Sequence, residues 1–316
     1  MISKILQLIP EYRDYLWGGE RLRPGSSPIA EAWVVFEHDK VASGRLAGFT
    51  LGELAMEYGI DLLGKWAVQR SGTRFPLLIK LLDCAQWLSL QVHPTDELAL
   101  QIEGPGHFGK TEAWFVLDAV PGAQIIAGLQ SGVSTAVLQA ALQAGAILDL
   151  VQYHEVNSGD TVFMPAGIIH ALGPGLLIYE VQQSSDLTYR VYDWGRPQTG
   201  DRVLHLDKAL AAADPSCKPA QVALPALVDG SQTVLCRSTY FILEMLAAYS
   251  QKIHQATCAE SFHALTVIEG SALVQAGGEE IRLEQFQSVV IPAVTGEYQI
   301  NPLGVCRLLK ASVSAP

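Results

Sequence analysis

Short segments of alternating apolar and polar residues, separated by Gly, Pro, Asn and Asp, recur along most of this chain. Alternation with a period of two is typical of β-strands with one buried face, and frequent turn residues keep such strands short. In the first two thirds of the chain these segments are Pro76–Leu82, Leu88–His93, Thr111–Leu117, Gln124–Ala127, Thr161–Met164, Leu176–Gln182 and Leu187–Tyr192. Such a density of short strands predicts a mainly β fold, either a sandwich or a barrel.

Three segments depart from this pattern and predict helices, at about residues 51–65, 133–150 and 206–213. The first carries apolar residues at helical spacing, and the second is rich in Ala and Leu and contains no Pro. The chain is therefore predicted to be β-rich with helical insertions.

A loop-like stretch around residues 214–230, with the sequence DPSCKPAQVALPALVDG, predicts a module boundary. We expect residues 1–220 to form one module that contains the helical insertions. Residues 225–316 contain strand patterns alone, so we expect a smaller second β module there.

Composition excludes several classes of protein. The apolar fraction of 49% and the charged fraction of 17% are typical of a compact globular chain. A net charge of −11 argues against a nucleic-acid partner, and no apolar run approaches the roughly 20 residues that span a bilayer. The five cysteines include no CxxC pair and predict reduced thiols, and the amino terminus lacks a signal-peptide pattern. We therefore expect a cytoplasmic protein with neither a nucleic-acid nor a membrane partner.

The segment from Ser89 to Pro94 carries an unusual polar face. Read as a strand, it places Ser89, Gln91 and His93 on one face and apolar residues on the other. A hydroxyl, an amide and an imidazole all coordinate or hydrogen-bond, and Pro94 ends the strand just after the imidazole. This face is interpreted as one wall of a polar site.

Two further residues extend this wall into a candidate metal site. Glu112 shares a strand face with Trp114, so it points towards a core, where a lone carboxylate is costly unless it is paired or bound to metal. His170 supplies a second imidazole. Two imidazoles and a carboxylate are the expected ligands of a catalytic Zn²⁺, although Mn²⁺, Fe²⁺ and Co²⁺ fit as well. The alternatives are a hydrogen-bonded His93 and a Glu112 that pairs with Lys110 or Arg190.

The stretch from Gly159 to His170 has the pattern G-x5-P-x-G-x2-H, which resembles the second signature motif of the cupin β-barrel. The second module carries a related stretch, Phe286–Glu297, in which Glu297 stands where the histidine stood and Val294 where Gly167 stood. The resemblance implies two cupin-like β-barrel or jelly-roll modules, with the helical insertions in the amino-terminal one. The carboxy-terminal module is expected to be a degenerate cupin without metal.

Over about residues 10–200 the chain resembles the type I mannose-6-phosphate isomerases in their short bacterial form. The matching motifs occur in family order and are Tyr15–Gly19 (YLWGG), Ala30–Trp33 (AEAW), Leu77–Lys80 (LLIK), Leu88–Pro94 (LSLQVHP), Gly109–Trp114 (GKTEAW), Pro165–Gly173 (PAGIIHALG) and Glu180–Trp194 (EVQQSSDLTYRVYDW). The resemblance implies an enzyme that interconverts mannose 6-phosphate and fructose 6-phosphate through a cis-enediol. It also implies one Zn²⁺ per chain, or another divalent transition metal, and a monomer or weak homodimer.

The resemblance also assigns roles to individual residues. The metal ligands that it implies are Gln91, His93, Glu112 and His170. The catalytic residues are Arg190, Lys110 and Glu180, and the substrate-binding residues are Ser89, Lys80 and Glu31.

Aldose–ketose isomerisation moves a proton between two carbons while charge builds on oxygen, which calls for a metal or a fixed cation there. Arg190 and Lys110 are the candidate cations. Glu180 is the candidate base, with a salt bridge to either cation, or a water held by the metal as the base, as alternatives. Ser89 and Lys80 are the candidate phosphate ligands.

Two other functions are compatible with part of this motif set. The alternative function is a non-catalytic sugar- or metal-binding cupin that kept the fold and lost turnover. The presence of both Arg190 and Glu180 favours the enzyme, since a binder needs neither. An Fe²⁺ cupin oxygenase is disfavoured, because it has no use for Lys110 or for the segment between residues 184 and 190.

Overall fold

The computed structural model describes residues 2–200 and 202–315, and strands dominate it. This confirms the mainly β fold that the alternating segments predict. Among the described residues, none of the helices combines the length and apolarity that a bilayer crossing requires.

The strands, labelled in chain order, are β1 Leu6–Ile9, β2 Glu11–Arg13, β3 Glu31–Val35, β4 Lys40–Val41, β5 Leu77–Cys84, β6 Leu90–Val92, β7 Glu112–Ala119, β8 Gln124–Leu129, β9 Val151–Glu155, β10 Thr161–Met164, β11 His170–Leu172, β12 Leu176–Gln183, β13 Tyr189–Tyr192, β14 Ala220–Val222, β15 Ser231–Arg237, β16 Phe241–Ala248, β17 Ile253–Ala256, β18 His263–Glu269, β19 Ser271–Ala276, β20 Glu279–Glu284, β21 Ser288–Ile291, β22 Glu297–Pro302 and β23 Cys306–Val313. The α-helices are α1 Leu51–Tyr58, α2 Ile60–Leu63, α3 Lys65–Ser71, α4 Asp96–Glu103, α5 Thr135–Ala144 and α6 Leu206–Ala212. Short 3₁₀ helices span Ile147–Asp149 and Ala293–Thr295.

The helix predicted at about 51–65 is three short helices, α1 to α3. Thr50 caps the first one with a capping box that includes Glu53. Gly59 and Gly64 then interrupt the helix with φ angles of 45° and 84°, which L-residues with a side chain rarely adopt. The helices predicted at 133–150 and 206–213 correspond to α5 and α6, with the 3₁₀ turn following α5.

Contacts along the chain divide it into two compact units. The first unit contains residues up to 12, 32–81 and 224 onward. The second unit contains residues 13–31 and 82–223. The division between residues 223 and 224 lies within the loop-like stretch 214–230, and residues 32–81 group with residues 224 onward in the first unit.

The second unit contains two antiparallel sheets. One has the strand order β14-β10-β7-β12, and the other has the order β13-β6-β11-β8-β9. Their apolar core includes Trp114 and Ile178 from the first sheet and Ile125 and Leu172 from the second. A second apolar cluster involves the five-stranded sheet together with α5 and α6. Residues at alternate positions of β7, β12, β6 and β11 are thereby held on rigid strands around one interior.

The first unit also contains two antiparallel sheets. Their strand orders are β15-β16-β23-β18-β21-β1-β4 and β17-β22-β19-β20. The core includes Leu246, Leu265 and Leu308 from the larger sheet and Val274 and Ile300 from the smaller one.

Candidate active site

His93 follows β6 directly and is almost completely buried, with 1% of its surface exposed. Its Nδ1 lies 2.7 Å from the carbonyl oxygen of Leu187. A carbonyl oxygen only accepts hydrogen bonds, so Nδ1 carries the proton and donates it. In the neutral ring the lone pair is therefore on Nε2.

His170 is the first residue of β11 and is held in the same way. Its Nδ1 donates to the carbonyl oxygen of Ile168 at 2.9 Å, which leaves the lone pair of the neutral ring on Nε2. The preceding turn depends on Gly167, whose φ of 94° suits glycine. The amide N–H of Gly167 donates to the carbonyl oxygen of His93 at 2.9 Å, so the turn also fixes the backbone of the other histidine.

Glu112, the first residue of β7, is completely buried and lies between the two imidazoles. Its carboxylate oxygens are 3.4 Å from Nε2 of His93 and 3.3 Å from Nε2 of His170. One ligand atom from each of these three residues lies within 4.8 Å of the other two. Of the residues that the structure describes, this is the one group of three or more His, Cys, Asp or Glu side chains that could hold a metal.

The chemistry of this donor set fits a metal ion. The Nε2 atoms of both imidazoles face carboxylate oxygens, and the lone pair of a neutral ring repels such an oxygen. Within the described ranges, Nε2 of His93 and both oxygens of Glu112 are buried without a hydrogen bond, and the charge of Glu112 is met only by the Lys110 ammonium, 3.1 Å from one oxygen. A cation between them would remove that deficit, and two imidazoles with one carboxylate match a transition-metal site that keeps open positions.

The charges around Glu112 favour the protonation states that metal ligands need. Burial alone would raise the pKa of Glu112, but the charge of the Lys110 ammonium holds it well below its usual range. Burial, and then the charge of Lys110, lowers the pKa of His93 well below its ordinary value. The carboxylate is thus ionised and the His93 ring neutral at pH 7.

Lys110 is also a direct neighbour of Glu112, with its ammonium nitrogen 3.1 Å from a carboxylate oxygen and 4% of the residue exposed. The alternative that Glu112 pairs with Lys110 is therefore present in the structure alongside the three-residue group. One ammonium contacts a single carboxylate oxygen, so this pair leaves the two imidazole lone pairs without a cation.

Gln91 connects the histidine strand to Arg190. On β6, Gln91 lies opposite His170 of β11 on one side and opposite Arg190 of β13 on the other. Residues directly opposite each other point to the same face, so the three side chains form a row across neighbouring strands. The amide nitrogen of Gln91 lies 3.3 Å from Nε2 of His170. A half-turn of the amide would bring its carbonyl oxygen to that place as a fourth ligand.

Arg190 lies on β13, the edge strand of its sheet, and His205 brackets its backbone from outside. The N–H of Arg190 donates to Nδ1 of His205 at 3.3 Å, and the N–H of His205 donates to the carbonyl oxygen of Arg190 at 2.9 Å. The register shifts between Arg190 and Tyr192, as at a bulge, which re-aims side chains. The sequence gives no sign of this role for His205, which precedes α6 rather than lying in a motif.

Glu180 lies on β12 and is 4% exposed. It faces Trp114 of β7, whose indole N–H donates to the carboxylate at 2.8 Å. This partner was not among those considered from the sequence. An indole N–H stabilises the ionised carboxylate and fixes its orientation.

The remaining predicted residues are also buried. Ser89 and Glu31 belong to the second unit, and each is 7% exposed. Lys80 belongs to the first unit, where its ammonium nitrogen lies 5.0 Å from the ring centre of Trp33. That distance is within the range of a cation–π interaction.

The first unit contains a different polar cluster, in which Lys310 and Glu244 are buried and the two glutamines are nearer the surface. Lys310 and Glu244 lie opposite each other on β23 and β16, and their charged groups are 2.9 Å apart. Gln255 accepts from Lys310 at 2.7 Å and donates to Gln232, which donates to Glu244. These four side chains therefore close a ring of hydrogen bonds.

Similarity to known proteins agrees with this geometry. A model of the type I phosphomannose isomerase catalytic domain matches residues 5–108. The mannose-6-phosphate isomerase ManA of Bacillus subtilis is 32% identical over 320 residues, covering 97% of this chain and 98% of the relative. The mannose-6-phosphate isomerase of Streptococcus mutans is 34% identical over 317 residues, covering 95% and 96%.

Solved structures agree as well. The crystal structure of a Bacillus subtilis mannose 6-phosphate isomerase superposes with a TM-score of 0.82 at 30% identity, over 98% of this chain and 99% of that one. A Salmonella typhimurium phosphomannose isomerase variant shares the fold with a TM-score of 0.78 at 18% identity, over 98% and 100% of the two chains. Because identity above 30% extends over nearly the whole length of the curated relatives, this chain belongs to the mannose-6-phosphate isomerase family.

Proposed function

We infer that this chain is a metal-dependent aldose–ketose isomerase that interconverts mannose 6-phosphate and fructose 6-phosphate through a cis-enediol. The observation that carries this inference is the buried group of His93, Glu112 and His170, in which the Nε2 atoms of two imidazoles lie 3.4 and 3.3 Å from one carboxylate. The family membership supplies the reaction and the substrate class.

We propose that one Zn²⁺ binds per chain, with Gln91, His93, Glu112 and His170 as ligands. The donor set is compatible with other divalent transition metals. When bound, the metal supplies a Lewis acid that stabilises negative charge on the substrate oxygen at C1 or C2. The chain's own contribution is to hold its ligands in the correct tautomers through the carbonyl oxygens of Leu187 and Ile168.

Glu180 is proposed to move the carbon-bound proton. It would take the proton from C2 of the aldose. The electron pair of the broken C2–H bond would then form the C1–C2 double bond, and the carbonyl oxygen at C1 would gain a proton. Return of the proton to C1, with loss of the proton from the oxygen at C2, gives the ketose. Burial of Glu180 excludes water from this transfer, and the indole N–H of Trp114 keeps the carboxylate fixed.

Arg190 and Lys110 are proposed to stabilise the charge of the enediol-like transition state. Arg190 lies in the same row as Gln91 and His170, so its side chain leaves the sheet on the face that carries the ligand cluster. Lys110 is already buried within 3.1 Å of Glu112. Fixed cations in a water-poor interior are worth more than in solution, because they need no reorganisation during the reaction.

Ser89 and Lys80 are proposed as phosphate ligands and Glu31 as a further substrate-binding residue, on the strength of the family motifs. We further propose that residues 225–316 form a degenerate cupin without metal, and that the protein is a cytoplasmic monomer or weak homodimer. Five free cysteines are compatible with a reducing compartment.

A coupled assay tests the proposed function. Formation of fructose 6-phosphate from mannose 6-phosphate is followed before chelation, after chelation and after Zn²⁺ is added back. We expect turnover, its loss on chelation and its return with metal, and we expect Glu180→Gln to keep its metal while losing most of its kcat. A protein that binds metal and sugar phosphate without any turnover would instead be the non-catalytic cupin.

A further inference from the structure

Gln182 is completely buried at the end of β12, and hydrogen bonds fix the orientation of its side-chain amide. The amide nitrogen donates to the carbonyl oxygen of Gln183 at 2.9 Å and to that of Ser185 at 2.6 Å. Both partners are carbonyl oxygens, which only accept hydrogen bonds. The orientation of the amide is therefore fixed, and Oε1 is the atom of the amide that makes no bond to this loop.

That oxygen, Oε1 of Gln182, has no hydrogen-bond partner among residues 2–200 and 202–315, although it is buried. A buried acceptor without a donor costs about 1–3 kcal/mol, and most native structures satisfy such groups. The two bonds made by the nitrogen explain why an amide is useful for the loop. They do not explain an unsatisfied oxygen.

The register of the sheet puts Gln182 beside the candidate active site. Gln182 lies directly opposite Glu112, and Glu180 precedes it by two residues on the same face of β12. Side chains of directly opposite residues have their Cβ atoms roughly 5 Å apart. Gln182 thus lies on the face of the sheet that also carries Glu112 and the proposed base.

We propose that Oε1 of Gln182 accepts a hydrogen bond from one hydroxyl group of the bound sugar phosphate. This inference rests on the proposed function and adds a substrate-contacting residue to it. An amide oxygen attracts hydroxyl donors and repels phosphate oxygens, which are themselves acceptors. Gln182 would therefore orient the polyol chain, not the phosphate, towards Glu112.

The test is a variant-by-ligand cycle with non-isomerisable inhibitors. The inhibitors are mannitol 6-phosphate and its five derivatives that each lack one of the hydroxyls at C1 to C5. Each is measured as a competitive inhibitor of the wild type and of Gln182→Met. The methionine side chain has a similar length and no amide acceptor. We expect Gln182→Met to weaken binding of mannitol 6-phosphate by about tenfold. One deoxy derivative should bind wild type and variant equally well, because its partner hydroxyl is missing.

Equal weakening of every inhibitor, or no weakening of any, would overturn the inference, because a role confined to the loop cannot select one hydroxyl. Metal content of the variant, measured in parallel, reports whether the cluster is intact. If Gln182→Met does not fold, Gln182→Leu takes its place in the same cycle, since its uncharged side chain also lacks the amide acceptor. One deoxy derivative must then bind this variant as well as it binds the wild type, and equal weakening of every inhibitor would refute the contact.

These outcomes separate the inference from the proposed function. A wild type that neither isomerises mannose 6-phosphate nor binds mannitol 6-phosphate would contradict the function itself. A wild type that does both, with no hydroxyl coupled to Gln182, would contradict only the role of Gln182.

Discussion

The interiors of the two units contain similar types of charged and polar residues. The buried charges compensate each other in the first unit, whereas the second unit is short of positive charge. In the first unit, the charge of Lys310 is paired with that of Glu244, and Gln255 accepts a further hydrogen bond from the same ammonium. In the second unit, His93, His170 and Glu112 present lone pairs and negative charge to one another, with Lys110 on a single oxygen. A buried polar cluster that satisfies itself is structural, whereas one left short of positive charge indicates a ligand.

The largest expected effect is loss of catalysis on removing an imidazole from the second unit. We expect His170→Ala to lower kcat/KM by about 10³-fold or more, since the Lewis acid stabilises the transition state by several kcal/mol. The matched control is His263→Ala, which removes a buried histidine from the interior of the first unit. If both variants lost activity equally, the distinction between the two interiors would fail.

The ion pair of the first unit should matter for stability and not for turnover. Lys310→Met leaves Glu244 buried without its cation, so we expect a loss of about 3–5 kcal/mol in the free energy of unfolding, measured with urea. The double variant Glu244→Gln/Lys310→Met should recover much of this loss, because neither charge remains. At a temperature where the single variant is folded, its kcat should equal that of the wild type, and a large drop in kcat would argue against a purely structural cluster.

Arg190 tests whether the second unit stabilises charge beyond its metal. Arg190→Ala should lower kcat by about 10²-fold, with a much smaller change in KM, because the interaction strengthens in the transition state. Metal content should stay unchanged, and Arg190→Lys should recover only part of kcat, since an ammonium lacks the planar fork. Should the alanine variant keep its kcat and lose affinity instead, Arg190 would be a phosphate ligand.

A smaller effect concerns the pH dependence of stability in the first unit. Burial, together with the charge of Lys310, lowers the pKa of His263 to about 3. The unfolded chain, with a histidine pKa near 6.5, binds the proton more readily, so the contribution of His263 is full above pH 6.5 and falls as the pH falls towards 3. Between pH 7 and pH 5 the loss is about 2 kcal/mol.

His263→Gln provides the comparison for that pH effect. Urea unfolding of wild type and variant between pH 5 and pH 7 should give a steeper loss of stability in the wild type. Parallel curves would mean that His263 titrates normally and is not buried as a neutral ring.

Much of the fold was predictable from the sequence, because alternation and turn residues are local signals. The limits of β10 agree to the residue with the predicted segment Thr161–Met164, and α5 and α6 were anticipated. Helix α4 was missed even though Thr95 caps it and Asp96 and Glu97 occupy its first turn, which is an ordinary helix-start pattern. The grouping of residues 32–81 with the carboxy-terminal residues was not predictable, since it depends on contacts between segments distant in sequence.

The candidate site, like the fold, was predictable only where local sequence motifs identify the residues. His93, Glu112 and His170 were identified because their side chains belong to recognisable motifs, and the structure brings the three together. The groups that orient the histidines are backbone carbonyls of Leu187 and Ile168, which any residue could supply. Sequence patterns have no signal for such contacts, and none for a buried acceptor that lacks a donor.

The central claim is that the second unit's interior requires a metal and the first unit's does not. Its most direct test is the metal content of purified wild type, His170→Ala and Lys310→Met, measured by elemental analysis after extensive dialysis. The account predicts about one ion per chain in the wild type and in Lys310→Met, and close to none in His170→Ala. Two ions per chain in the wild type, or full occupancy in His170→Ala, would contradict it.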